Sequence, residues 1–145
     1  MLAVKLKPGE RLVVNGAVLH NGNTRNVIYF ANRASILRER DVMQVEQAVT
    51  PTARVYYIVQ LMLLNPEDVE TTYRVTFEQL MTGLLRTFRS PPILKSLTDC
   101  AFWVGDGDYY KALAALRPVL DYEAKLLHRP QTGPALNEEA TQGTA

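Results

Sequence analysis

A chain of 145 residues that is 47% apolar can build one domain with a real core, or two small sub-domains sharing an interface, and it is too apolar for disorder throughout. Its net charge is only +1, but the charge is uneven: through Arg54 eight Lys or Arg face four Asp or Glu, a net +4, and from Val55 to Leu127 seven face nine, a net −2. The single cysteine, Cys100, excludes a disulfide framework and a thiolate metal set, Pro8 and Gly9 interrupt any signal-peptide core, and no run approaches the ~20 apolar residues of a membrane span, so a soluble protein of the reducing cytoplasm is expected.

From Leu2 to about Val42 the punctuation is that of β structure. "KPGE" puts Pro8 and Gly9 at the centre of a turn, "NG" recurs at Asn15-Gly16 and Asn21-Gly22, and short β-branched runs such as "RLVV" and "NVIYF" lie between them. These predict a small antiparallel meander. In "NVIYF" alternation sets Val27 and Tyr29 on one face and Ile28 and Phe30 on the other, so the sheet is expected to be covered on both faces, by helices of this chain or by a second copy in a homo-oligomer.

After Thr50 the signals turn helical. Thr50-Pro51 is an N-cap followed by Pro at the first helical position, and "ARVYYIVQLMLL" is apolar nearly all round, which predicts a central buried helix. Asn65-Pro66 repeats the device, with Glu67, Asp68 and Glu70 in the turn where acidic groups favour the helix dipole. Val69, Tyr73, Phe77, Leu80 or Met81, Leu84 and Phe88 recur at spacings of three and four, predicting an amphipathic helix of about six turns. Ser90-Pro91-Pro92 ends it and caps a third helix through "ILKSLTDCAFWV". "GDGD" then breaks the chain before a fourth, "YYKALAALRPVLDYEAKLL". Within it "GDYYKAL" has the spacing of half a tetratricopeptide unit, but arrays need at least three units, so an α-hairpin with close approach at Ala112 and Ala115 is the better reading.

The expected fold class is therefore α+β, a small N-terminal antiparallel β unit followed by a bundle of about four helices. Residues 1–45 form the basic β-rich unit, residues 50–128 the helical bundle, and residues 129–145, rich in Pro, Gly, Thr and Glu, a tail expected to be disordered. Tyr56, Leu63, Phe77, Leu84 and Trp103 are expected to share one core.

Catalysis needs a nucleophile or an acid/base pair within reach of each other, and the inventory is thin. His20 sits in a turn, His128 at the end of the last helix, and Cys100 lies in an apolar helix with no basic neighbour to lower its pKa. Asp106 and Asp108 flank Gly107, but two carboxylates make a poor metal site, and Asp108 is better placed as the N-cap of the following helix. No glycine-rich loop opens a helix after a strand, so no phosphate loop is present. No enzyme activity, cofactor or metal is expected.

The stretch "NRASILRERDV" crowds Arg33, Arg38 and Arg40 against Glu39 and Asp41. If "SILRER" is a strand, period two puts Arg38 and Arg40 on one face about 7 Å apart, near the spacing of successive phosphates on a nucleic-acid strand. Lys5 and Lys7 form the same kind of pair. A solvated face with Arg38 and Arg40 paired to Asp41 and Glu39 fits the same pattern, and patterning alone does not separate the two.

Taken together, "LKPGERLVVNGAV" (Leu6 to Val18), "ASILRERDVM" (Ala34 to Met43), "TPTARVYYIVQLM" (Thr50 to Met62) and "GDYYKAL" (Gly107 to Leu113) resemble the signatures of the FlbT family of flagellin regulators, in order and at similar spacing from about Leu2 to Leu127. The resemblance implies post-transcriptional control. A family member would act in the cytoplasm on the 5′ untranslated region of flagellin messenger RNA, mostly repressing translation and shortening message life. The order of strands and glycine turns is also similar to the carbon-storage regulators, whose first and last strands line an RNA groove with arginines. By this second resemblance Lys5, Lys7, Arg38 and Arg40 are where RNA would lie, and together with Arg11 and Arg33 they are the candidate RNA-binding residues. A second function stays open, in which the helical half grips flagellin or the partner regulator FlaF and affects messenger RNA only indirectly.

Overall fold

The computed structural model describes residues 1–127, and the expectations for His128 and for the tail lie outside them. The chain is α+β. Five short strands, β1 (Leu2–Leu6), β2 (Arg11–Val14), β3 (Ala17–His20), β4 (Asn26–Phe30) and β5 (Ile36–Arg38), precede four helices, α1 (Pro51–Leu64), α2 (Arg74–Thr87), α3 (Pro91–Asp106) and α4 (Tyr109–Leu126).

The strands do not form the expected meander. β1 pairs antiparallel with β4, while β2 lies between β3 and β5 in a separate three-stranded sheet. Only the first "NG" makes a tight hairpin: Asn15 and Gly16 take φ of 50° and 85°, the double positive φ of the turn that matches strand twist, and join β2 to β3. Asn21 instead uses its carboxamide to donate to the Lys7 carbonyl at 2.6 Å and the Thr24 carbonyl at 2.9 Å, which shapes a loop that carries the chain across to β1. After "KPGE" the strands diverge. Gly9 has φ 74°, the Glu10 N–H donates to the Lys7 carbonyl at 3.1 Å, and β2 enters the other sheet.

The two sheets face each other across a small core of Val4, Leu6 and Leu12, with Val14, Ile28, Phe30 and Ile36 packed around it. On the opposite face of the three-stranded sheet Leu37 is fully buried in the main helical core and Val13 packs against it. The sheet covered on both faces is therefore that of β2 and β5, not the one containing "NVIYF". β4 turns Ile28 and Phe30 inward and leaves Val27 and Tyr29 exposed, the latter at 64%. An expected second copy would have to sit on this uncovered face.

In the bundle, α1 is the central helix. The Thr50 hydroxyl accepts from the Ala53 N–H at 3.2 Å as a cap, and buried side chains cover most of the circumference. Asn65 does not repeat the device. Its carboxamide donates back to the Leu61 carbonyl at 3.1 Å, closing the end of α1, and the chain runs through a 3-10 turn at Pro66–Asp68 and a π turn at Val69–Tyr73 before α2 begins. The predicted six-turn helix is thus shorter and preceded by irregular turns. Ser90 stands at the N-cap of α3 without a side-chain capping bond. Gly107, left-handed at φ 80°, ends α3, and Asp108 caps α4 by accepting from the Lys111 N–H at 3.1 Å.

Tyr56, Leu63, Phe77 and Leu84 share the main core, and Trp103 packs against it half-buried. The buried Glu123 carboxylate accepts from both the N–H and the hydroxyl of Thr52 at 3.0 and 2.9 Å, tying α4 to the first turn of α1. Cys100 is buried, and burial pushes its thiol pKa up to about 12, so it is an inert packed thiol.

Candidate nucleic-acid interface

The alternation of β1 decides where its lysines go. Val4 and Leu6 are buried, so Lys5 must face outward, and Lys7 follows in the same sense. Register places Lys5 beside Val27 and Leu6 beside Asn26, which brings Arg25, just before β4, to the same end of the sheet. Beyond β1 the end of β5 supplies Arg38, and the turn after it supplies Arg40. Together these side chains line a groove of about 890 Å³ in which five cations, Lys5, Lys7, Arg25, Arg38 and Arg40, face two carboxylates, Glu10 and Glu39.

The cations differ in how free they are. The Arg38 guanidinium donates to the Lys5 carbonyl at 3.2 and 3.1 Å and to the Glu10 carboxylate at 3.0 Å, and its side chain is 27% exposed. It therefore bridges the two sheets where no backbone ladder joins them. Arg40 is 64% exposed, with its Nε 4.0 Å from the Asp41 carboxylate. Lys5, Lys7 and Arg25 are exposed.

The expected strand through Arg40 does not form. β5 ends at Arg38, and Glu39–Asp41 make a 3-10 turn closed by the Val42 N–H on the Glu39 carbonyl at 3.2 Å. The turn is set by tertiary packing. The Tyr56 hydroxyl donates to the Asp41 carbonyl at 2.8 Å, and the Asp41 carboxylate is buried 3.5 Å from Arg117 on α4. Burial raises the Asp41 pKa, against the pull of Arg117 and Arg40.

Arg11 does not line this groove. It reaches across to Glu39, its N–H and guanidinium donating at 3.2, 3.2 and 2.7 Å, and this bonding raises the Arg11 pKa and lowers that of Glu39. The pairing expected from sequence is thus exchanged: Arg38 takes Glu10, Glu39 takes Arg11, and Arg40 lies near Asp41. Arg33 stands apart too, 82% exposed and 3.5 Å from Asp108 at the start of α4. Sequence reasoning missed Arg25. Its signal was the spacing to Val27 on an outward face, visible only once β4 is known to pair with β1.

A family model described as flagellar protein FlbT matches residues 2–127. The chain is 38% identical over 126 residues to a probable flagellum biosynthesis repressor protein FlbT from a Caulobacter species, covering 87% of this chain and 95% of that one. It is 35% identical over 139 residues to the flagellum biosynthesis repressor protein FlbT of Caulobacter vibrioides, covering 96% and 98%, and 34% identical over 138 residues to a probable repressor of the same name from Agrobacterium fabrum, covering 95% and 91%. No solved structure matches.

Proposed function

Since the chain belongs to the FlbT family of flagellar proteins, we propose that it is a repressor of flagellum biosynthesis that holds the 5′ untranslated leader of flagellin messenger RNA in the basic groove of its β unit. The observation that carries this reading is the convergence of Lys5, Lys7, Arg25 and Arg40, all exposed, in one groove beside the bridging Arg38. Exposed cations along a groove release counterions when a phosphate backbone enters, which gives affinity without a fixed sequence code. The reading places the protein in the cytoplasm with its message. Among the described residues no helix is long and apolar enough to cross a membrane.

Filter binding of the flagellin leader at several salt concentrations tests it. Replacing Lys7 and Arg40 together with Ala removes two contacts, and the slope of log K against log salt should become shallower by about 1.4, at roughly 0.7 per contact on a single strand. Lys95→Ala, on α3 and not in the groove lining, should leave the slope unchanged. Unchanged affinity and slope in the double variant would sink the RNA reading.

A second reading is favoured by Val75 on α2 and Phe102 on α3, each 62% exposed. In it the helical half grips flagellin or FlaF, and leader RNA is affected indirectly. Loss of binding to either protein in a Val75→Ser or Phe102→Ser variant, with RNA binding intact, would favour it.

A further inference from the structure

Arg38 also lines a second groove, of about 610 Å³, between the β unit and the start of α4. The character of the lining changes across it. The first groove has cations and no aromatic ring, whereas the second carries Tyr109 and Tyr110 between Arg33 and Lys111. Its one carboxylate, Asp108, is already engaged: Arg33 lies 3.5 Å and the Lys111 ammonium 3.9 Å from it, and it caps α4 through the Lys111 N–H at 3.1 Å. The groove therefore keeps a net positive lining and does not draw on the helix end for anion binding.

Tyr110 is the ring most open to a ligand. It is 43% exposed, and the Arg117 guanidinium stands over it, 5.7 Å from the ring centroid. Its exposed part lines this groove, where a flat partner can reach it. Tyr109, by contrast, is half-buried and packs on the helical core. An exposed aromatic beside cations, next to a cation-lined groove with which it shares Arg38, is the combination by which single-stranded nucleic acid is held: phosphates along the charges, a base on the ring.

We propose that Tyr110 is a base-stacking subsite for the same single-stranded RNA whose phosphates run along Lys5, Lys7, Arg25 and Arg40, with Arg33 and Lys111 flanking the stacked nucleotide. This rests on the RNA reading of the basic groove. It adds a non-ionic contact that the first groove lacks.

The test uses the full chain and a fluorescent oligouridine of about 12 nucleotides, within the site sizes of single-strand binders, together with the same oligomer made abasic. Tyr110→Ala should weaken oligouridine binding by about 5- to 150-fold, as loss of one stacked base does, with the salt slope unchanged. Tyr110→Phe should bind like the parent chain. On the abasic oligomer Tyr110→Ala and the parent chain should bind alike, a result that misfolding of the variant would not produce. If Tyr110→Ala binds oligouridine as the parent does while the Lys7 and Arg40 double variant weakens it, the stacking subsite is wrong and the groove reading stands. An equal loss on intact and abasic oligomers also overturns it, because no base is then being read. If the parent chain binds neither oligomer nor the leader, both proposals fall together.

Discussion

Arg38 and Arg40 stand two positions apart, and the fold assigns them opposite conditions. Arg38 is held by the Lys5 carbonyl and Glu10 and is mostly covered, so Arg38→Ala should cost roughly 1.5 to 3 kcal/mol in urea unfolding, as bonds to a charged group do, by uncoupling β1 from β5. Arg40 is open, and Arg40→Ala should leave stability within about 0.5 kcal/mol while weakening RNA binding. Asp41, next along, is a buried carboxylate whose folded pKa is raised. A raised acid binds its proton more readily folded than unfolded. Between the ordinary carboxylate value of 3.8 and the raised folded value the folded chain carries more protons, so its contribution to stability falls as pH rises through that window. Asp41→Asn should lack this fall when urea unfolding is followed across mildly acidic pH. Glu39 acts in the opposite sense. Its lowered pKa gives stability that is present above its ordinary value of 4.5 and lost as pH falls through the folded value, so the comparison must be made against the parent chain at each pH.

At the scale of elements, burial separates aromatic side chains that periodicity treats alike. Phe77 on α2 is 4% exposed inside the main core, whereas Trp103 on α3 only packs against that core, with the Lys111 ammonium 4.4 Å from its ring. Phe77→Ala should cost roughly 3 to 5 kcal/mol, and Trp103→Ala clearly less, in thermal or urea unfolding. Equal losses would contradict the packing described. Helix starts were legible at Thr50 and Asp108, which cap as their sequence context predicts, Asp108 while its second oxygen also stands 3.5 Å from Arg33. Asn65 has the same context, but the end of α1 lies within reach of its carboxamide and takes it. Local patterning cannot rank those two uses of one side chain.

For the whole molecule, the β unit and the bundle share a core. Leu37 and Met43, both within residues 1–45, are buried among helical side chains, and the Gln60 side chain on α1 bonds the Met43 N–H and carbonyl at 2.7 and 2.9 Å. A fragment of residues 1–45 should therefore lack dispersed amide resonances and a cooperative melt, since it would expose that apolar surface and is near the size below which a core alone rarely suffices. Features that depend on near neighbours along the chain were legible without the structure. The α+β class, the Asn15-Gly16 hairpin, the buried α1, the break at "GDGD" and the basic character of the first third follow from turn chemistry, periodicity and charge, which act over a few residues. Pairing at a distance was set by packing in three dimensions. β4 crosses to β1 because Ile28 and Phe30 cover Val4 and Leu6, the strand through "RERD" stops because Asp41 is drawn down to Tyr56 and Arg117, and Arg25 joins Lys5 and Lys7 only through that crossing. Each of these contacts spans a separation along the chain that no local pattern encodes: the apolar pairing of β1 with β4 excludes water, the turn at Asp41 is held by a hydrogen bond and an ion pair, and the exposed Arg25 is carried to its place by the strand register.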